Sequence, residues 1–229
     1  MSICQKCYCE GNFLCEPILQ HQWRKSILLT CEDKEVSTTV EFIHILNYLQ
    51  KYPNQSVIVI RNKIDKDIVN FQIPQQYESE REQYFSRIKI KYIDDCKQLN
   101  IFLLGINSVY SFGMIVIDNF DSFFMNINSP LDEWMKTISF LTDAVLFEEK
   151  YNKNSVHSVV CINSITDTNC RSFSAFINQW FVGSIHVARV SQTEYVLNPL
   201  MVLPPIKHPH NTIQLTIEKD FVQVESINI

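Results

Sequence analysis

Glycine is scarce in this chain: four in 229 residues, at Gly11, Gly105, Gly113 and Gly183, with none between residues 12 and 104. A phosphate cradle closes backbone N–H groups around an anion through turns with φ > 0, which glycine adopts without steric strain. A cradle built on glycine turns is therefore excluded from that whole stretch. Long apolar runs are missing too. None approaches the roughly 18–20 residues that span a bilayer, and MSICQKCYCEGNFLCEP at the start has no basic segment leading into an apolar one, so it does not read as a secretory signal. The third absence is an excess of positive charge. Twenty Lys and Arg stand against 25 Asp and Glu, a formal net charge of −5, which argues against a strongly basic nucleic-acid binder but leaves room for a local basic patch.

What is present is ordinary for a globular protein: 46% hydrophobic and 20% charged residues, in a chain long enough for one large core. Residues 1–22 read as a short cysteine-containing extension, and residues 23–229 as one α/β domain. An intracellular setting makes the eight cysteines thiols or metal ligands rather than a disulfide framework. Cys4, Cys7, Cys9 and Cys15 give C-x2-C-x-C-x5-C, and a C-x2-C pair is half of a zinc site, to which His21 could add a ligand. The usual second knuckle downstream is lacking. Free thiols in a terminal extension and a zinc site both stand as readings, and no other cofactor is expected.

Along the domain, apolar runs at 26–30, 57–60, 113–118 and 158–162 read as buried strands, and Ile88–Ile93 alternates as a half-exposed one. Helices follow at Thr38–Leu49, after Asp94 or Asp95 with Leu99, Phe102, Leu103 and Ile106 on one face, and after Ser129-Pro130 with Leu131, Trp134, Ile138, Leu141 and Val145. Residues 61–87 read as a polar surface excursion. The tail, with Ile185/Val187, Ile213/Leu215/Ile217 and Phe221/Val222/Val224, reads as added antiparallel strands. Strands separated by helices imply βαβ units and a mainly parallel sheet.

That order, with IKIKYI at 88–93, a helix, and GMIVID at 113–118, resembles the ATPase core of the RecA/RadA recombinase superfamily. It is most similar to the small recombinase paralogs that partner SWIM-type zinc-finger proteins in Shu-type complexes. The resemblance spans roughly residues 26–200. It implies a RecA-like three-layer fold, a nuclear protein of homologous-recombination DNA repair, and a SWIM-type or recombinase-paralog partner. Single-stranded DNA is a further candidate ligand, and no membrane is involved.

In that family the first strand runs into G-x-x-x-x-G-K-[ST], and the strand ending in aspartate supplies the magnesium side. Here the run is Thr30-Cys31-Glu32-Asp33-Lys34-Glu35-Val36-Ser37. Thr30 and Glu35 stand at the glycine positions, Val36 at the lysine and Ser37 at the magnesium-binding hydroxyl. Three carboxylates occupy the place of an anion, and Lys34 offsets only part of their charge. The glutamate expected after the second strand is also missing, since Val57–Ile60 leads into Arg61-Asn62-Lys63-Ile64-Asp65. Ser37 and Asp118 are thus vestigial nucleotide residues, and the chain is expected to be a pseudo-ATPase. Asp118 is expected to be a leftover whose carboxylate caps local backbone or side-chain donors at the strand end, and to tolerate Asn. An atypical ATPase completed in trans, with Asp118 on magnesium, and an α/β interaction protein unrelated to DNA are the alternatives.

Arg61, Lys63 and Lys66 form a small basic group, and Arg171 with Phe173 could pair a phosphate contact with a stacking face. Phe120, Phe123 and Phe124, directly after a strand end, divide between core packing under the next helix and a partner-docking surface.

Overall fold

Short apolar runs become the middle of one sheet because parallel strands are covered on both faces. The computed structural model describes residues 26–65, 75–127, 130–152, 156–163, 180–181, 183–202, 212–218 and 221–227. Strands β1 (Ser26–Cys31), β2 (Val57–Asn62), β3 (Ile88–Ile93), β4 (Met114–Ile117), β5 (His157–Ile162) and β6 (Gly183–Arg189) are parallel. Strands β7 (Glu194–Val202), β8 (Thr212–Glu218) and β9 (Phe221–Ile227) extend the sheet by antiparallel pairing. The order is β3-β2-β4-β5-β1-β6-β7-β8-β9. Helix α1 (Lys34–Lys51) covers one face, α3 (Cys96–Val109) and α4 (Pro130–Asn152) the other, and a short α2 (Arg81–Phe85) lies beyond α1. The fold is the RecA-like three-layer α/β arrangement, a mainly parallel sheet with antiparallel C-terminal strands.

The period of two along each strand decides which side chains share a layer. On β2, Val57 and Val59 join the α1 core while Ile58 and Ile60 join the α3/α4 core. On β4, Met114 and Val116 go with α1, and Ile115 and Ile117 with the other layer. All four β4 side chains are fully buried, and β4 lies between β2 and β5 at the centre of the parallel part.

Helix α1 begins four residues earlier than its apolar pattern suggests, because Asp33 caps it: Oδ1 of Asp33 accepts from the N–H groups of Glu35 at 3.1 Å and Val36 at 3.2 Å. Between Val36 and Leu49 only His44 is not fully buried. The sheet covers one side, and residues 75–85 cross the other, where Phe85 stacks on Phe42 at 6.3 Å and the Tyr77 hydroxyl donates to Asn47. Tyr77 and Tyr84 are buried there, so this part of the expected surface excursion belongs to the core.

On the opposite face α3 and α4 run parallel in fixed register. Thr137 donates to Asn100 at 2.7 Å, Asn107 to the carbonyl of Ala144 at 3.0 Å, and Ser111 to Glu148 at 2.8 Å. The α3 cap is Asp95, whose side chain accepts from the N–H of Gln98 at 2.8 Å. Gly113, which opens β4, is required for close approach: a Cβ there would overlap the Tyr48 hydroxyl and come within 2.9 Å of the Gln55 Cβ.

Strand β7 is absent from the sequence expectation. Its run, EYVLNPLMV, carries Pro199, and the register of its pairing with β6 shifts between Ser184 and Ile185. A proline in a strand removes a ladder donor and breaks the pattern by which strands are read. Among the described residues, no helix is long and apolar enough to cross a membrane.

Candidate functional site

Ligands of open α/β sheets gather at the carboxyl ends of the parallel strands. In this chain the part of that edge at the ends of β2 and β4 is filled by the protein's own side chains, while a cavity of about 560 Å³ lies at the ends of β1 and β6, beside Cys31, Asp33, His186 and Arg189. Arg61 lies in phase with Val57 and Val59, and Asp118, one residue past β4, lies in phase with Met114 and Val116. Parallel pairing sets Ile60 beside Ile117, and the N–H of Asp118 donates to the carbonyl of Ile60 at 2.9 Å. The two side chains therefore emerge side by side beneath α1. Nε of Arg61 donates to Oδ2 of Asp118 at 2.7 Å, and both residues have no exposed surface.

Two further groups of the α1 layer close in on this pair. Glu41, in the second turn of α1, is 1% exposed, and its Oε2 accepts from the thiol of Cys161 on β5 at 3.3 Å. Burial, and then the charge of Asp118, pushes the Glu41 carboxyl well above the usual carboxylate range. Burial also pushes Asp118 upward, and Arg61 pulls it back. Burial opposes the Arg61 charge, and the Asp118 and Glu41 carboxyls outweigh it, holding the guanidinium above its ordinary range. The hydrogen-bonded ion pair is Arg61 with Asp118, and the Glu41 carboxyl stands beside it. Ser37, one turn before Glu41, is fully buried, and its Oγ has no hydrogen-bond partner among the described residues.

A second charge pair sits at the mouth of the same edge. Lys34, the first residue of α1, forms an ion pair with the buried Asp65 after β2. Oδ2 of Asp65 also accepts from Asn119 Nδ2 at 2.7 Å, and Asn119 Oδ1 accepts from Asn163 Nδ2 at 3.3 Å. Asn119 adopts φ 48°, ψ 52°, a left-handed conformation that asparagine tolerates better than most residues and that turns the chain sharply after Asp118. Arg61 and Lys34 are thus each paired with a carboxylate, Asp118 and Asp65.

These contacts occupy, among the described residues, the groups with which a chain of the resembled family would hold a magnesium nucleotide. The helix N–H groups that would meet phosphate are engaged by the Asp33 carboxylate. The carboxylate that would meet magnesium is engaged by a buried guanidinium. The side chain after β2 that would orient water is that same arginine. The buried cysteines offer no nucleophile either: burial first, then neighbouring acidic groups, push Cys161 far up, and burial pushes Cys31 up to about 12.

The structure corrects several expectations. The carboxylate of Asp118 meets a side-chain donor at the strand end, Nε of Arg61, 57 residues away in sequence, in a buried ion pair rather than as an isolated leftover. Arg61 is not a DNA contact, since it is fully buried in that pair. Lys63 is exposed but pairs with Asp94 at 2.6 Å. Phe120, Phe123 and Phe124 do not form a docking surface: all three are buried, and Phe120 and Phe124 pack on Trp134 at centroid distances of 5.5 and 6.0 Å. Lys66, Arg171, Phe173 and the cysteines Cys4, Cys7, Cys9 and Cys15 lie outside the described residues. Among the described residues no group of three or more His, Cys, Asp or Glu side chains is placed to hold a metal ion. Glu41 and Cys161 were missed, although a glutamate in an apolar helical stripe was a usable signal. Compared with known proteins, the chain matches no family model and no curated protein.

Proposed function

We propose that this protein is a non-catalytic, recombinase-paralog-like subunit that supports homologous-recombination repair in the nucleus through a protein partner. One observation carries the reading: a RecA-like scaffold whose magnesium and phosphate positions are filled by Arg61 and Asp33. A scaffold closed in this way keeps its shape without nucleotide, which suits a subunit that acts by binding. The same geometry speaks against a site completed in trans, because Asp118 would have to leave a buried arginine before it met magnesium. The partner of this reading is a SWIM-type zinc-finger protein or another recombinase paralog, with single-stranded DNA held by the complex.

The test is genetic and biochemical together. Cells lacking the protein should become sensitive to replication-blocking damage and assemble fewer recombinase foci, and the tagged protein should co-purify with a partner of that class. Normal recombination in such cells, or a stable partner unconnected with DNA, would refute the reading.

A further inference from the structure

The cavity at the carboxyl ends of β1 and β6, about 560 Å³ in volume, shares no lining residue with the Arg61–Asp118 pair. Its size is that of a small-molecule site, roughly 300–1,000 Å³. It opens where two neighbouring strands part. Thr30 pairs with His186 and Cys31 with Val187. Then β1 ends and the chain turns through Asp33 into α1, while β6 runs on to Arg189 and pairs with β7. The period of two brings groups from both faces of the sheet to this opening. Thr30 and His186 belong to one face, and Cys31, Val187 and Tyr195 to the α1 core on the other.

Opposite charges line the cavity without meeting. Arg189 is tied to its own turn: Nε donates to the carbonyl of Ser191 at 3.0 Å and Nη2 to that of Gln192 at 3.2 Å, with the guanidinium 5.9 Å from the Tyr195 ring centroid. Its Nη1 has no partner among the described residues. Asp33 spends Oδ1 on the first N–H groups of α1, and Lys34 turns away to Asp65. Glu32 is exposed, and its carboxylate has no partner among the described residues. Tyr195 lies in the field of both signs: after burial, Asp33 pushes its hydroxyl up and Arg189 pulls it down. On the other face, Thr30 donates its one hydroxyl hydrogen to the carbonyl of Ile185 at 3.4 Å. Its oxygen, 3.0 Å from Nδ1 of His186, therefore accepts from that nitrogen and leaves Nε2 as an acceptor. Free phosphate in this cavity would meet two carboxylates against one guanidinium. A metal ion would lack ligands, since among the described residues no three His, Cys, Asp or Glu side chains are grouped to hold one. The arrangement complements a molecule that carries both charges, held apart.

We propose that this cavity binds a small zwitterion, an ammonium and a carboxylate on a short carbon skeleton as in a free amino acid, with the ammonium at Glu32 and Nε2 of His186 and the carboxylate at Nη1 of Arg189. The site does not depend on the function proposed above. The test is isothermal titration of the purified full chain with glycine, β-alanine and γ-aminobutyrate, which set the two charges at increasing separation. One of the three should saturate in the millimolar range or below. The alkylamine and the carboxylate of the same length, each carrying one charge alone, should bind roughly tenfold more weakly or worse. Glu32→Gln and Arg189→Gln should each weaken the zwitterion by about the same factor, with an unchanged circular dichroism spectrum, both residues being exposed. Should Arg189→Gln disturb its turn, Glu32→Gln carries the test alone. No saturation by any of the three probes would overturn the proposal. So would an alkylamine or a carboxylate that binds as tightly as the zwitterion, or a zwitterion affinity unchanged in Glu32→Gln.

Discussion

Arg61 and Asp118 meet at 2.7 Å with neither side chain exposed to solvent, one from the end of β2 and one from just past β4. Removing one member of such a pair leaves the other charge buried without compensation, which destabilises by roughly 3–5 kcal/mol. Asp118→Asn should therefore lose about that much stability in urea unfolding, and Arg61→Met/Asp118→Leu should lose much less. An Asp118→Asn protein as stable as wild type would show that the pair does not hold this edge together.

Glu41 gives the cluster a pH signature. Its folded carboxyl is held well above the ordinary value of 4.5, by burial first and by Asp118 second. The folded protein keeps this proton while the unfolded chain releases it, so the group's favourable contribution is complete below pH 4.5 and fades as pH rises toward the folded value. Glu41→Gln removes that titration. Relative to wild type its stability should be constant in acid and then rise by up to about 1.4 kcal/mol per pH unit above 4.5. Denaturation midpoints collected from pH 4 to pH 8 read this directly, and a variant that loses ground as pH rises would reverse the assignment.

Asp33 serves α1 as a cap. Asp33→Ala should lower stability by about 1 kcal/mol, the usual effect of losing an N-cap. It should not create a phosphate site, because Glu32 and Glu35 remain beside the freed N–H groups. Unfolding measurements with and without added inorganic phosphate test both halves of this expectation.

Gly113 marks where β4 passes under Tyr48 and Gln55. Gly113→Ala forces those side chains aside and should destabilise by roughly 1–3 kcal/mol, as overpacking does. Tyr48→Phe in the same chain removes the nearest obstructing atom and should recover part of the loss in thermal melts.

The buried strands, the cap at Asp95, the start of α4 at Pro130 and the faces of the helices were legible because they are local: apolar runs, capping residues and periodic spacing need no distant partner. The Arg61–Asp118 pair is not local, but a signal for it existed. Each residue continues the α1-facing phase of its strand, and neighbouring parallel strands bring equal phases together. The phenylalanines at 120, 123 and 124 carried a similar signal, since i, i+3, i+4 spacing is that of one buried helical face. Strand β7 was hidden by Pro199. Its place in the sheet comes from pairing with β6 and β8, which its own residues do not announce.

The central claim is that the groups standing where a RecA-type chain would hold a magnesium nucleotide, Asp118 and the first N–H groups of α1, are engaged by the protein's own Arg61 and Asp33 side chains. Isothermal titration of the isolated full-length protein with Mg-ATP measures this most directly. The account predicts no binding heat and no shift in melting temperature at saturating nucleotide. Stoichiometric, tight binding of Mg-ATP would contradict it.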